Sequence, residues 1–189
     1  KVVTGIPGKT GIVYTLDRRT GEFLWARPTV MQNVVQSIDG ATGKVTNNPA
    51  VLFDKVGDTR FVCPSSTGGA NYQAPAYSPL TKTMYFPEQN TCETATATAP
   101  NWPTPTYSVA AKIALAPGAD DNVGVLTAVN AVTGRTEWKF STRAGMQSVL
   151  TTGGGLLFVG DSAGRFRALD QATGKVLWEM NLGSAVTGY

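Results

Sequence analysis

Across 189 residues the chain carries 16 Lys and Arg against 13 Asp and Glu, a net charge of only +3, with 42% hydrophobic residues, 21 Gly and 11 Pro. The cations are scattered, Arg18-Arg19 being their one adjacent pair, so the dense basic stripe of a nucleic-acid binder is missing, and no run of 18 apolar residues offers a membrane-spanning helix. With no histidine, a Ser-His-Asp triad, a His-ligated metal and a CxxCH haem site are excluded within the chain.

The abundant glycine and proline and the low charge favour many short strands joined by tight turns. Lys1 runs straight into Val-Val-Thr with no leader-like stretch, so the chain reads as an interior portion of a longer one. The first legible element is Thr15-Leu-Asp-Arg-Arg-Thr-Gly-Glu-Phe-Leu-Trp25, a strand, a turn and a second strand ending in Trp. Ile38-Asp-Gly-Ala-Thr-Gly43 is a turn of the same kind without the Trp. Cys63 and Cys92 come next, 29 residues apart and close to the turn residues Pro64 and Asn90; two inert thiols and a closed loop are both open. Between them Ala76-Tyr-Ser-Pro-Leu-Thr-Lys-Thr-Met-Tyr-Phe86 reads as strand, turn, strand. Thr91 to Pro105, rich in Thr, Ala and Pro, reads as a loop without a packing pattern. The carboxylates Glu88, Glu93, Asp120 and Asp121 read as solvated, the last two as a loop pair.

The pattern of the first element returns twice without a gap, at Ala128-Val-Asn-Ala-Val-Thr-Gly-Arg-Thr-Glu-Trp138 and Ala168-Leu-Asp-Gln-Ala-Thr-Gly-Lys-Val-Leu-Trp178. A spacing of 40 residues between the last two Trp fits one four-stranded propeller blade. In each copy a short polar side chain opens a turn, and Gly21, Gly134 or Gly174 supplies the positive φ that closes it. Trp25, Trp138 and Trp178 are then equivalent buried rings docking between blades. The last blade reads strand by strand: Gln147–Thr151, Leu156–Val159, Arg165–Leu169 and Lys175–Met180. Trp25 and Trp138 lie 113 residues apart, nearly three blade lengths, which leaves a long insertion around residues 27–122. Long insertions on a rigid ring are where function usually sits.

Several stretches resemble the PQQ-dependent (quinoprotein) alcohol and methanol dehydrogenases: Gly11-Ile-Val-Tyr-Thr-Leu-Asp-Arg18, Gln36-Ser-Ile-Asp39 with Thr42-Gly43, and Thr151-Thr-Gly-Gly-Gly-Leu-Leu-Phe-Val-Gly160. The most specific is Cys63-Pro-Ser-Ser-Thr-Gly-Gly-Ala-Asn-Tyr72 with Ala76-Tyr-Ser-Pro79. The resemblance covers essentially the whole chain. It implies an all-β fold of four-stranded antiparallel blades, about three to four of them, forming an incomplete arc of an eight-bladed propeller and its C-terminal part. It implies periplasmic oxidation of an alcohol by hydride transfer to PQQ beside Ca²⁺ or a lanthanide, with a c-type cytochrome collecting the electrons.

Residue by residue, Asn71 matches an Asn that hydrogen-bonds near the quinone, and an amide can both donate to and accept from a buried group. Tyr72 stands where many members have Trp, and Met146 aligns loosely with a cofactor-facing Trp, its other reading being the start of a core strand. Cys63 and Cys92 match a cysteine pair bonded in some members. The catalytic Asp and the metal ligands are expected outside this chain, on the remainder of the propeller, so no catalytic or metal-binding residue is assigned. A non-catalytic scaffold propeller that binds partner proteins is the alternative.

Overall fold

The computed structural model describes residues 1–6, 8–100 and 108–188. Its strands are all antiparallel and fall into two compact units.

The first unit comprises Lys1–Gly69 and Thr91–Pro117. It holds β1 (Val2–Gly5), β2 (Ile12–Asp17) and β3 (Phe23–Pro28) as one sheet, and β4 (Val35–Ile38) with β5 (Val45–Asn47) as a hairpin. Its third sheet joins β6 (Thr59–Val62) to two strands far along the chain, β9 (Thr91–Thr98) and β10 (Ser108–Leu115), in the order β10-β9-β6. The expected loop at Thr91–Pro105 is therefore corrected over its first eight residues: they form a central strand with most side chains buried. Residues 101–107 lie outside the described residues.

The second unit comprises Ala70–Asn90 and Gly118–Tyr189. β7 (Ala76–Ser78), β8 (Thr83–Gln89), β11 (Gly124–Asn130) and β12 (Thr136–Thr142) form one four-stranded sheet in the order β12-β11-β8-β7. β13 (Met146–Thr151), β14 (Leu156–Asp161), β15 (Arg165–Asp170) and β16 (Val176–Asn181) form a second as a plain meander. Both are propeller blades, and the last has the strand order read from the sequence. Tyr85, Leu126, Met146, Leu157 and Leu169 belong to one buried cluster within this unit. Fully burying each such side chain contributes about 1.5–3 kcal/mol.

The repeat has a shared backbone cause. In all three copies the Trp faces the residue two before the Asp or Asn: Thr15↔Trp25, Ala128↔Trp138 and Ala168↔Trp178. The register then slips by one, leaving Leu24, Glu137 and Leu177 as bulge residues. The turns match atom for atom. Asp17 Oδ1 accepts from the N–H groups of Arg19 and Thr20, Asn130 Oδ1 from Val132 and Thr133, and Asp170 Oδ1 from Ala172 and Thr173. Asp39 repeats the arrangement with Ala41 and Thr42 in the Trp-less copy.

Burial of the three Trp differs from the expectation. Trp25 and Trp138 are half-buried, and Trp178 is 44% exposed. Trp138 shows why position matters. Its ring lies over Gly174, where a Cβ would come within 2.6 Å, and its Nε1–H donates to the Gln171 carbonyl at 3.1 Å. The Thr-Gly turn of the next blade thus covers Trp138, whereas Trp178 sits on the last strand with no described sheet after it.

Candidate functional site

In the second unit, the stretch carrying Asn71 is held by an irregularity in β13. Met146 faces Asp161 while Val149 faces Val159, so two residues of β13 oppose one of β14. Within this bulge Ser148 Oγ accepts from Ala74 N–H at 2.9 Å and donates to the Gly188 carbonyl at 2.9 Å. Val149 N–H donates to the Ala74 carbonyl at 3.0 Å, pinning Ala74 from both sides. Gln73 is buried beside it, while Asn71 and Tyr72 are exposed. Asn71 and Tyr72 are therefore neighbouring exposed residues on an anchored segment. Met146 is different: at 1% exposure it packs in the core cluster with Tyr85 and Leu126. It is also the first residue of β13, the other position read for it from the sequence.

In the first unit, β6 and β9 bring Val62 opposite Glu93, and the next pair along is Cys63 and Cys92. They form a disulfide with Cα atoms 4.4 Å apart and no exposure. After the cis Cys63-Pro64 bond, Ser65 Oγ bonds the Thr67 and Thr91 hydroxyls at 2.7 and 2.8 Å. Ser66 turns to Glu93: its N–H and hydroxyl both donate to Glu93 Oε2, at 2.8 and 2.7 Å. Lys9 Nζ donates to the Ser66 carbonyl at 2.7 Å.

Asp120 and Asp121 are exposed, as expected, and Asp121 pairs with the exposed Arg143 at 3.6 Å. Glu88 and Glu93 correct the solvated reading, with 1% and 6% exposure. The strand alternation that buries Glu93 runs through Thr and Ala, not through large apolar residues, so the sequence carried no strong signal for it. Also unread from the sequence was Arg167, almost wholly buried, which pairs with Asp161 at 2.7 Å and Glu179 at 2.6 Å. Among the described residues no three of His, Cys, Asp and Glu converge as a metal site. None of their helices is long and apolar enough to cross a membrane.

Four-stranded antiparallel sheets whose hairpins close on Asp/Asn-x-x-Thr-Gly turns and run into a bulged Trp strand define a β-propeller repeat protein. Residues 94–188 match the family model described as "Outer membrane protein assembly factor BamB". The lanthanide-dependent methanol dehydrogenase of Methylacidiphilum fumariolicum (strain SolV) is 33% identical over 95% of this chain and 30% of its own length. Lupanine 17-hydroxylase [cytochrome c] of a Pseudomonas species is 30% identical over 98% of this chain and 27% of its own. The structure of a europium-containing methanol dehydrogenase superposes on 98% of this chain and 35% of its own, with a TM-score of 0.85 at 29% identity. The chain belongs to the PQQ-dependent (quinoprotein) alcohol and methanol dehydrogenase family. It spans about 30% of the length of the curated relatives it matches.

Proposed function

We propose that this chain is part of a periplasmic PQQ-dependent dehydrogenase that oxidises an alcohol to an aldehyde, with Ca²⁺ or a lanthanide at the cofactor and a c-type cytochrome as electron acceptor. The observation that carries the reading is the superposition, at a TM-score of 0.85, of nearly the whole chain on a methanol dehydrogenase. The residues present fit such a cofactor. A flat, oxygen-rich quinone needs an amide to orient a carbonyl and an aromatic or apolar wall beside it, and Asn71 and Tyr72 offer these groups at exposed, neighbouring positions. When bound, PQQ supplies the two-electron acceptor for the hydride of the alcohol. Asn71 would hold a cofactor oxygen through its amide, and Ser148 and Val149 keep that segment in place through Ala74. No carboxylate of this chain is assigned as the base, and the metal ligands belong to the rest of the propeller.

The test is Asn71→Ala in the complete protein, with PQQ content and dye reduction by a primary alcohol as readouts. Because Asn71 is exposed, the unfolding transition stays in place while cofactor retention or turnover falls. Wild-type cofactor content together with wild-type turnover removes the assignment. The second reading, a scaffold propeller, rests on the description of the matching family model. It requires that the complete wild-type protein neither retain PQQ nor reduce dye.

A further inference from the structure

We propose that the cavity at Glu93 in the first unit is a binding site for a small organic cation, a primary ammonium on a short apolar body. The proposal does not rest on the Asn71 assignment or on the proposed oxidation.

The argument starts from strand alternation. On β9, Cys92 points to its disulfide partner and Glu93 to the opposite face of the sheet. There Glu93 as a residue is only 6% exposed, with Oε2 fixed by the two Ser66 donors. Among the described residues no other donor reaches the carboxylate, and no Lys or Arg pairs with it. The nearby cation, Lys9, gives one N–H to the Ser66 carbonyl and forms no ion pair with Glu93. Glu93 lines a cavity of about 310 Å³ whose walls include Val34, Phe53, Val62 and Ala95. A smaller space of about 220 Å³ borders the carboxylate on the Lys9 and Pro64 side.

A buried carboxylate without a countercharge is costly. Hydrogen bonds from a backbone amide and a hydroxyl orient it but leave its charge uncompensated. An ammonium supplies the missing charge and several N–H donors, and its hydrocarbon replaces water against the valines and the phenylalanine. A volume near the lower end of small-molecule pockets sets the size at about four to six carbons. Anions are excluded by the carboxylate, and a neutral alcohol of the same shape fills the cavity without answering the charge.

The experiment is isothermal titration calorimetry of the full chain at neutral pH with isopentylammonium chloride, and with isopentanol as the neutral isostere. Saturable one-site binding of the ammonium is expected, with isopentanol at least about tenfold weaker, as for loss of a hydrogen bond between charged groups. Glu93→Gln keeps an oxygen for the Ser66 donors and is expected to weaken the ammonium at least about tenfold while leaving isopentanol unchanged. Ala111→Met narrows the same cavity from its rim, leaves Glu93 intact, and is expected to weaken both ligands; it carries the test if Glu93→Gln does not fold. Equal affinity for ammonium and alcohol, or wild-type affinity in a folded Glu93→Gln, overturns the proposal. So does ammonium binding that emerges only in Lys9→Met, which would make Lys9 the countercharge.

Discussion

Substituting Gly174 by Ala isolates the contact that defines the blade repeat. Gly174 closes the β15–β16 turn at φ +70°, a conformation that costs an L-residue about 1–2 kcal/mol. The new methyl would also lie 2.6 Å from Trp138 Cε3 and 2.7 Å from Cδ2. That ring has little room to retreat, because its Nε1–H is tied to Gln171 and its other neighbour is Tyr85, at a centroid distance of 5.6 Å. Overpacking of this kind adds about 1–3 kcal/mol, for a total loss of about 2–5 kcal/mol. Gly155 provides a control in the same unit: its φ is +85°, but nothing lies within 4 Å of a Cβ built on it. Gly155→Ala is expected to cost only the conformational part, about 1–2 kcal/mol. Urea unfolding monitored by circular dichroism measures both. Adding Trp138→Ala to Gly174→Ala should recover the overpacking part as a coupling of about 1–3 kcal/mol. Equal losses for the two glycines, with no coupling to Trp138, would refute the seating of that ring on the turn.

Opening the Cys63–Cys92 disulfide, by reduction or by Cys63→Ser with Cys92→Ser, removes a loop closure of 29 residues and should cost roughly 3–4 kcal/mol in denaturant unfolding; an unchanged midpoint would contradict this. Trp138→Ala should cost about 3–5 kcal/mol, and Trp178→Ala clearly less because its ring is 44% exposed, the two being compared in the same unfolding assay; a larger loss at Trp178 goes against the reading. Asp17, Asp39 and Asp170 are held below their ordinary pKa of 3.8, Asp17 chiefly by the Arg19 N–H and the other two chiefly by the Thr42 and Thr173 hydroxyls. Folded values below unfolded ones mean that their stabilisation is complete above about pH 4 and is lost as the pH falls through the folded values. Carboxyl NMR titration should place all three midpoints below 3.8, and Thr173→Val should move that of Asp170 upward; midpoints at or above 3.8 would count against the turn geometry.

Legible in the sequence was whatever backbone chemistry fixes locally. Asp or Asn with a nearby Thr-Gly specifies a turn through local backbone amide groups, so the hairpins running into Trp138 and Trp178 could be read, and the last blade strand by strand. Ala76–Phe86 was legible for the same reason, as two short strands about a tight turn. The failures depended on partners distant in sequence. Thr91–Thr98 looks like an unpatterned Thr/Ala stretch because its burial comes from β6 and β10, on either side of it. The burial of Glu93 is a consequence of that misread strand, and the exposure of Trp178 a consequence of its place on the outermost strand of the last blade. For Asn71 the residues alone gave an Asn near glycines; the role came from the resemblance, and the structure adds the anchoring of its segment through Ala74.

The disulfide also changes how the chain is connected. Residues 70–90 leave the first unit to supply β7 and β8 to the second, and the chain returns to the first unit at Thr91. Cys63 and Cys92 stand at the departure and the return, so everything between them, Asn71 included, is part of a closed covalent ring. A protease that cuts once inside this ring separates nothing. The two pieces migrate as one on a non-reducing gel and part only when the sulfurs do, so the strands lent to the second unit stay tethered to the first through a broken backbone.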